Sequence, residues 1–458
     1  MKPKPNKQRK VKAINPKPLR PINLNAAGID VGACEIWVAV PYDRDENPVR
    51  SFPTFTPDLL DMVAWLLDCR ITTVAMESTG VYWIPIYDIL EAYGIEVCLI
   101  DPRRMKSRKK TDILDCQRLQ QMHSYGQLDP SFRPPQSIRG IRTIVRQEEM
   151  LTKSRARHIQ HMQKALHEMN IQLDIVLSDI TGQTGMHIIR AIVQGEHDPL
   201  VLSQFRDPRC KRSKEDIAKA LQGSYLDQHL FSLRQALQLY DTYSEMIVEC
   251  EHKLEELYET FTPSEYCEQT LPATAKPHRK GRKDPDESLR LHLYHLCGTD
   301  ITEVDGIECS IAQTIITETG PSVSAWPTAK HYGAWTTLAP NNRVSGGKVL
   351  SSDYHKSKHK VGQAYRNAAQ SLARSDCALG AYYRKIQTRH GSALAIKATA
   401  YKLARIVYTM LKTHTPYIRL DQYQIDLQYQ DRTLRKLKRT AAELNFQLVP
   451  IESTASQG

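Results

Sequence analysis

The strongest constraint on the fold is an alternation of strand-like and helix-like segments between residues 25 and 130. The stretch NAAGIDVGACEIWVAVPYD predicts two strands joined by a turn, and ITTVAMES and IEVCLID each predict a buried strand. Between them, FTPDLLDMVAWLLDCR and VYWIPIYDILEAYG have the apolar spacing of helices. Strands that alternate with helices predict an α/β layer around a central sheet.

A long helical segment with a heptad pattern follows. In LDQHLFSLRQALQLYDTYSEMIVECEHKLEELYETF, apolar residues recur at steps of four and three, with one polar break at Ser244. The earlier segment RTIVRQEEMLTKSRARHIQHMQKALHEMN is a less regular candidate partner. Heptads predict that helices pair without fixing which helix is the partner, so a hairpin within the chain and a dimerisation arm are both open. The predicted coiled-coil seam comprises Leu226, Leu230, Leu233, Leu237, Tyr240, Ile247, Cys250, Leu254, Leu257 and Phe261.

The 458 residues exceed one compact core, so the chain is expected to contain several domains. The fold class is α/β followed by a largely helical part. We predict a disordered basic arm over 1–24, the α/β domain over 25–137 and a helical coiled-coil region over 138–277. We further predict a linker or loop over 278–299, a mostly helical C-terminal domain over 300–412 and a charged, partly helical tail over 413–458.

Charge and composition indicate the class of partner. The net charge of +11 favours a polyanion, and the first 24 residues carry eight Lys and Arg residues and no acid. Apolar runs are too short to span a membrane, and the N-terminus has no apolar core of the kind that secretory signals have. The ten cysteines include no C-x-x-C pair, so we expect reduced thiols in a cytoplasmic protein and no zinc knuckle.

Four carboxylates occupy positions at which they could meet. Asp30 and Glu77 stand at the carboxyl ends of predicted strands, where α/β sheets place their active sites. Asp112 and Asp115 are three residues apart at the opening of a helix and therefore share one face. Clustered carboxylates repel unless cations neutralise them, and magnesium (Mg2+) suits oxygen ligands and phosphoryl transfer. The basic run before the helix would hold a phosphate backbone: Arg103, Arg104, Lys106, Arg108, Lys109 and Lys110.

Each acid also has a plainer interpretation. Asp112 could be an N-cap, and Asp115 could only favour the dipole of the first turn. Asp30 could be a turn residue and Glu77 an exposed strand end. The coincidence of all four on one layout is what favours a metal site.

The C-terminal region contains a basic stretch with two adjacent glycines, AWTTLAPNNRVSGGKVL. Gly346 and Gly347 would let the backbone approach a partner closely, and Ser345 offers a hydroxyl. Arg343 and Lys348 are near enough in sequence to hold a phosphate. The alternative is a loop that merely contacts nucleic acid, since a serine is a poor nucleophile without an activating base or metal.

Two further features of this region are open to more than one interpretation. His355 or His359 could serve as a general base, although a solvated or phosphate-facing histidine is the more ordinary interpretation. The stretch VDGIECSIAQTIITETGP resembles a helix-hairpin-helix element, but Glu308 replaces a usual glycine, which favours a structural helical hairpin.

Several of these stretches resemble one family. GIDVGACEIWVAV, MESTGVYWIPIYDIL and DPRRMKSRKKTDILDCQRL resemble the N-terminal domain of the insertion-sequence 110 (IS110) transposases, which are DEDD enzymes with a RuvC-like, ribonuclease H-like fold. The family's acidic tetrad falls on Asp30, Glu77, Asp112 and Asp115. Its Leu-x-Pro and Ser-Gly-Gly-Lys signature falls on Leu338, Pro340 and residues 345–348, so the nucleophilic role carries over to Ser345. The family's Lys-Arg-Gly and following Arg correspond to Lys360, Val361, Gly362 and Arg366, with the central Arg missing. The resemblance therefore implies that Lys360 and Arg366 contact the nucleic-acid phosphates.

The resemblance implies a function. It implies a transposase that joins DNA through a phosphoserine intermediate with magnesium on the tetrad, as a homodimer or homotetramer on double-stranded DNA. It also implies a structured non-coding guide RNA, the bridge RNA. Two rival hypotheses are a resolvase-type junction nuclease, with Ser345 only binding phosphate, and a non-catalytic nucleic-acid-binding protein with structural acids.

Overall fold

The computed structural model describes residues 20–78, 80–101, 111–267, 271, 286–353, 359–419, 431, 434–435 and 437–449. The chain divides into two compact units, with the boundary between Arg133 and Pro134. Nearly all of the predicted basic arm lies outside the described residues, as do the predicted phosphate contacts Arg103, Lys106 and Lys109. None of the helices in these ranges combines the length and the apolar character that a membrane span needs.

A mixed five-stranded sheet forms the centre of the first unit, as the alternating pattern predicted. Its strand order is β3-β2-β1-β4-β5. β1 pairs antiparallel with β2 and parallel with β4; β2–β3 is antiparallel and β4–β5 is parallel. β3 was not predicted from the sequence. The strands are β1 (Ala26–Val31), β2 (Glu35–Ala39), β3 (Val49–Pro53), β4 (Thr73–Glu77) and β5 (Glu96–Ile100).

Helices cover both faces of this sheet. α1 (Thr56–Asp68) and α2 (Trp83–Ala92) pack on the face that carries Ile29 and Met76. α3 (Asp112–Ser124) packs on the other face, where Leu119 joins Ala75 and Ile100 in a small apolar cluster. Because side chains alternate along a strand, each of β1 and β4 presents one set of residues to α1 and α2 and the other set to α3.

Two helices of 33 residues each dominate the first part of the second unit. They are α4 (Gln136–Glu168) and α9 (Asp227–Glu259), and they pack against each other along their length. The ring Nδ1 of His229 lies 3.2 Å from Glu168 Oε2 at one end, and Arg155 bonds to Ser244 Oγ in the middle. The pairing is therefore antiparallel and within one chain, as in the hairpin alternative.

The seam of α9 agrees with the heptad prediction except near its ends. Leu233, Leu237, Ile247 and Leu254 are buried as predicted. Leu226 is instead the exposed N-cap of α9, and near the C-terminal end Tyr258 is the buried side chain rather than Leu257.

The chain between the two long helices folds back onto their ends. It forms α5 (Leu173–Val176), α6 (Gln183–Val193), α7 (Pro199–Leu202) and α8 (Lys214–Ala220). Residues such as Ile188 and Leu202 pack in one core with Met162 of α4 and Leu233 of α9. The segment therefore caps one end of the helical pair.

The rest of the second unit is mainly helical, as predicted, but it contains one β-hairpin. The segment predicted as a linker holds α10 in its described part. The hairpin consists of β6 (Asn341–Ser345) and β7 (Lys348–Asp353). The helices are α10 (Glu287–Cys297), α11 (Cys309–Thr319), α12 (Ala329–Trp335), α13 (Lys360–Ser371), α14 (Ala378–His390) and α15 (Ser392–Thr413).

Candidate functional site

Asp30 and Glu77 lie near the carboxyl ends of two parallel neighbouring strands. Asp30 is the fifth of six residues in β1, and Glu77 is the last residue of β4. Asp30 is two residues beyond Gly28, and Glu77 is two residues beyond Ala75, and both of those residues contact α3. By strand alternation, both acids belong to the sheet face that α3 covers. We call this region the acidic edge, defined by Asp30, Glu77, Asp112 and Asp115.

Helix α3 runs antiparallel to β4 and brings its first turn to the acidic edge. Its last turn lies at the start of β4, because His123 Nε2 is 2.8 Å from Thr73 Oγ1. From Thr73 to Glu77 the strand advances about 13 Å, and from His123 back to Asp115 the helix advances about 12 Å. Asp115 therefore lies at about the same height as Glu77.

The first turn of α3 differs from the sequence interpretation in one respect. Thr111 is the N-cap, because its Oγ1 accepts a hydrogen bond from the Leu114 backbone N–H at 3.3 Å. The interpretation of Asp112 as a capping residue was wrong, because the cap is already occupied. Asp112 is exposed and Asp115 is half-buried, both within the first helical turn. Their carboxylates are therefore not needed to complete the helix.

The thiol of Cys116 lies among the acids. Its side chain is buried, and its Sγ donates to the Ile113 carbonyl at 3.1 Å. Burial, together with the negative charges of Asp30 and Asp115, raises the pKa of Cys116 to about 12. Both carboxylates are thus close enough to act on one thiol, although one comes from β1 and the other from α3.

The acidic edge carries the donor chemistry of a magnesium site without a closed ligand set. All four acids supply carboxylate oxygens, the donors that Mg2+ prefers. Among the residues that the structure describes, no group of three or more His, Cys, Asp or Glu side chains is arranged to hold a metal ion. Asp101, a residue not predicted to belong to the site, follows β5 beside Glu77, whose strand partner is Ile100. Its signal was the same as that of Glu77, an acid at a strand end.

Ser345 lies at the tip of the β6–β7 hairpin rather than in an irregular loop. It is the last residue of β6 and pairs with Lys348, the first residue of β7. Gly346 and Gly347 have φ angles of +56° and +78°, as a two-residue type I′ turn requires. Ser345 and Lys348 are both exposed, and a Cβ on either glycine would meet nothing within 4 Å. The backbone of Arg343 pairs with Ser351 further along the hairpin. The tip therefore presents a hydroxyl and an ammonium to solvent side by side.

His359 is not placed as a general base. Its Nδ1 accepts from the Gly362 backbone N–H at 3.4 Å, which makes it the N-cap of α13, and its ring packs against Trp335. Burial lowers the pKa of His359 to about 4, so the ring is neutral at pH 7. The expectation of a solvated or phosphate-facing histidine is therefore wrong for His359. The other candidate, His355, lies outside the described residues.

Lys360 and Arg366, predicted phosphate contacts, both have partners within the protein. Lys360 Nζ lies 3.0 Å from Glu149 and 3.5 Å from Glu318. Arg366 Nε donates to Gln363 at 3.2 Å, and burial lowers its pKa. Lys360 belongs to a cluster around the buried Glu318, which also accepts two bonds of 2.8 Å from Arg146.

The glycine turn of the suggested helix-hairpin-helix element faces the protein. A Cβ on Gly306 would lie 2.7 Å from the Ala368 carbonyl of α13, and Val304 and Ile307 beside it are fully buried. The structural-hairpin interpretation agrees with this packing, because main-chain amides in such a turn do not face a DNA backbone.

Comparison with known families gives two matches. A model of the IS110-type DEDD transposases, described as a transposase, matches residues 27–171. A second model, described as the transposase IS116/IS110/IS902 family, matches residues 299–384. No curated protein matches the chain. Together the two matches span just over half of the chain, and they contain the acidic edge and the hairpin that carries Ser345.

Proposed function

The chain belongs to the IS110 family of transposases, and from this premise we propose that it excises and inserts its own insertion sequence by two phosphoryl transfers. The observation that carries the proposal is the antiparallel packing of α3 across the sheet. It brings Asp112 and Asp115 to the same edge as Asp30 and Glu77.

The architecture supports the finer fold assignment that we propose. A sheet of order β3-β2-β1-β4-β5, with an antiparallel hairpin on one side and parallel strands on the other, is consistent with a RuvC-like domain over about 25–137. The paired helices α4 and α9 are consistent with a coiled-coil region over 138–277, and the hairpin with a catalytic domain over 300–412.

We assign the metal to the acidic edge. Asp30, Glu77, Asp112 and Asp115 would hold Mg2+, since four carboxylates at one edge repel one another without a cation. Bound magnesium would supply charge stabilisation to oxygens of the transferred phosphoryl group.

Ser345 is the nucleophile in this proposal. Its Oγ attacks a DNA phosphodiester, the serine proton is released, and an Oγ–P bond forms. The P–O bond to one deoxyribose breaks, and that oxygen leaves as a hydroxyl after taking up a proton. A hydroxyl of another strand then attacks the phosphoserine and regenerates Ser345. The exposed hairpin tip supports this role because the hydroxyl is free to reach a backbone, with Lys348 beside it to pair with the phosphate.

We further propose that a guide RNA supplies sequence specificity. Basic surfaces would then hold backbones while base pairing selects the target. The net charge of +11 supports a nucleic-acid partner, as do four predicted phosphate contacts: Arg103, Lys106, Lys109 and Arg343. A homodimer or homotetramer would bring a second copy to the double-stranded DNA ends.

One observation favours a second candidate. Among the described residues, Ser345 has no hydrogen-bond partner that could act as a base, and His359 is used as a helix cap. A junction nuclease of the resolvase type would need the acids and not the serine nucleophile.

An excision assay separates these candidates. The gene with its native flanking DNA is supplied in cells, and circular products are quantified by sequencing across the joined ends. We expect circles from the wild type and none from Asp30→Ala, Glu77→Ala or Ser345→Ala. Asp58→Ala is the matched control, since this acid is a half-buried first-turn residue of α1 on the other face of the sheet.

The outcomes are distinct. Circles from Ser345→Ala, with none from Asp30→Ala, would replace the covalent mechanism with the acid-only nuclease. Circles from every acid variant would leave a nucleic-acid-binding role. A protein–DNA adduct on a denaturing gel, present in wild type and absent in Ser345→Ala, would support the phosphoserine directly.

A further inference from the structure

Gly28 lies where α3 meets β1, and none of the roles proposed above involves it. A Cβ built on Gly28 would lie 2.3 Å from the Cys116 carbonyl oxygen and 2.3 Å from the Gln120 backbone nitrogen. The Leu119 Cβ would be 2.9 Å away. Two of the three contacts are helix backbone atoms, which cannot turn aside as a flexible side chain can. The helix therefore packs directly on the strand backbone, with no side chain between them.

Gly28 does not serve a special backbone conformation. Its φ angle lies outside the left-handed region, and it sits in regular register opposite Ala39 of β2 and Ala75 of β4. Any residue could adopt this strand geometry. The reason for glycine is therefore the close approach of the helix alone.

This close approach sets the distance between the two halves of the acidic edge. Asp30 is two residues beyond Gly28 on the same face, and Asp115 directly precedes Cys116, whose carbonyl faces Gly28. We propose that Gly28 is a positioning residue, because the absence of a side chain there lets α3 pack close enough to β1 for Asp112 and Asp115 to share a metal with Asp30. The proposal rests on the proposed function, since it concerns the same acids.

A second contact holds the helix at this height. Gln120 Nε2 donates to the Ala26 carbonyl of β1 at 3.3 Å and to Ser124 Oγ at 3.0 Å. The Gln120 side chain is buried. Gly28 therefore allows the approach, and Gln120 secures it.

Gly28→Ala in the full chain tests the proposal, with Cys116 as a built-in reporter. Cys116 is buried under α3 in the wild type, so a thiol reagent labels it only when the helix lifts. Labelling of each cysteine is followed by peptide mass spectrometry. Cys34 is exposed and serves as the positive internal control, whereas Cys69 and Cys297 are buried elsewhere and report general unfolding.

We expect Cys116 labelling to rise more than about 10-fold in Gly28→Ala while Cys69 and Cys297 stay protected. We also expect Mg2+ to raise the Tm of the wild type, and we expect this rise to be lost in Gly28→Ala, together with excision. Two controls make the same substitution elsewhere. Gly140→Ala adds a Cβ with nothing within 4 Å, and Gly223→Ala adds one at 2.2 Å from the Met169 carbonyl, away from the acids. Both should leave Cys116 protected and the Mg2+ response intact.

Three outcomes of these experiments would count against the proposals. If Cys116 stays protected and the Mg2+ response is unchanged in Gly28→Ala, the positioning role is wrong, even if excision is lost. If Gly28→Ala does not fold, Gln120→Ala replaces it, and an unchanged Cys116 and Mg2+ response there would overturn the proposal. A wild type with neither Mg2+ response nor excision would refute the proposed function instead.

Discussion

Glu318 offers the sharpest test of how the second unit is held together. Its carboxylate is buried, with 6% of the side chain exposed, and it accepts two bonds of 2.8 Å from Arg146. Arg142 lies 2.9 Å away and Lys360 3.5 Å away. One acid on α11 thus joins α4 to the start of α13. We predict that Glu318→Gln destabilises this unit.

The magnitude follows from what the substitution leaves behind. Removing one partner of a fully buried ion pair costs about 3–5 kcal/mol. The side chains of Arg142, Arg146 and Lys360 are 26%, 48% and 28% exposed, so water recovers part of that cost. We therefore expect a loss of about 2–3 kcal/mol, or about 5 °C in the Tm of this unit.

The assay is thermal unfolding of Glu318→Gln beside Glu149→Gln. Glu149 pairs with the same Lys360 at 3.0 Å, but its side chain is 34% exposed, so its removal should cost less than about 1 kcal/mol. Equal Tm values for the two variants would refute the argument that burial makes Glu318 special.

The pH dependence provides a second check. Burial raises the pKa of Glu318, but the bonds from Arg146 and the charges of Arg142, Arg146 and Lys360 lower it further, so the net pKa lies below 4.5. A carboxyl with a depressed pKa stabilises the folded state above its unfolded pKa and loses that contribution as the pH falls through the folded value. The difference between wild type and Glu318→Gln should therefore be constant near pH 7 and shrink below pH 4.5. A difference that grew on acidification would contradict this assignment.

Three further predictions concern single positions. Gly347→Val should impair the hairpin and excision without changing the global Tm. Gly346→Asn should be tolerated, because type I′ turns favour Asn at the first of their two central positions. Equal excision activity of the two variants would contradict the turn assignment. The ring of His359, whose pKa burial lowers to about 4, should show no NMR titration between pH 5.5 and 8, and its stabilising contribution, complete above pH 6.5, should fall as the pH drops toward 4. Thr111→Ala should cost about 1 kcal/mol in thermal unfolding and weaken the Mg2+ response, whereas Thr111→Ser should preserve both; a wild-type result for Thr111→Ala would mean that the cap does not hold the first turn of α3.

The sheet and its helices were predictable because burial leaves a strong pattern in the sequence. β1 and β4 are short, nearly continuous buried runs, and α1 carries apolar residues at helical spacing. β3 was missed because its sequence VRSFP has no fully buried residue, so it lacks the pattern of a core strand. An edge strand held mainly by backbone bonds to β2 leaves little trace in side chains.

Local chemistry in the sequence could be interpreted in more than one way. Thr111 and Asp112 are both good caps and stand next to each other, so composition could not decide between them. The adjacent Gly346 and Gly347 predict a close approach of the backbone to a partner, whereas in the structure they form a tight turn between paired strands. Glycine permits both, and only the pairing of Ser345 with Lys348 separates them.

Long-range pairing was beyond sequence reasoning. Lys360 was expected to contact phosphate because it falls on the first position of the family's Lys-Arg-Gly motif, but it lies against Glu149 and Glu318. Gly28 gave no local signal either, since its reason is a helix that begins more than 80 residues later. Such contacts join residues far apart in the chain, and a single sequence holds no record of them.

The pair of long helices has a consequence for salt. The early part of α4 is held by the charges of Arg142 and Arg146 on Glu318 as well as by buried side chains such as Ile141, whereas its far end is held by the apolar core around Met162. Salt screens these charges only in part, because the Glu318 carboxylate is buried, and it does not weaken the apolar core. At about 50 Å, the helix is long enough for a tilt of about 5° at one end to move the other by about 4 Å. We therefore expect a rise in ionic strength to loosen the early part of α4 while its far end stays packed in the apolar core.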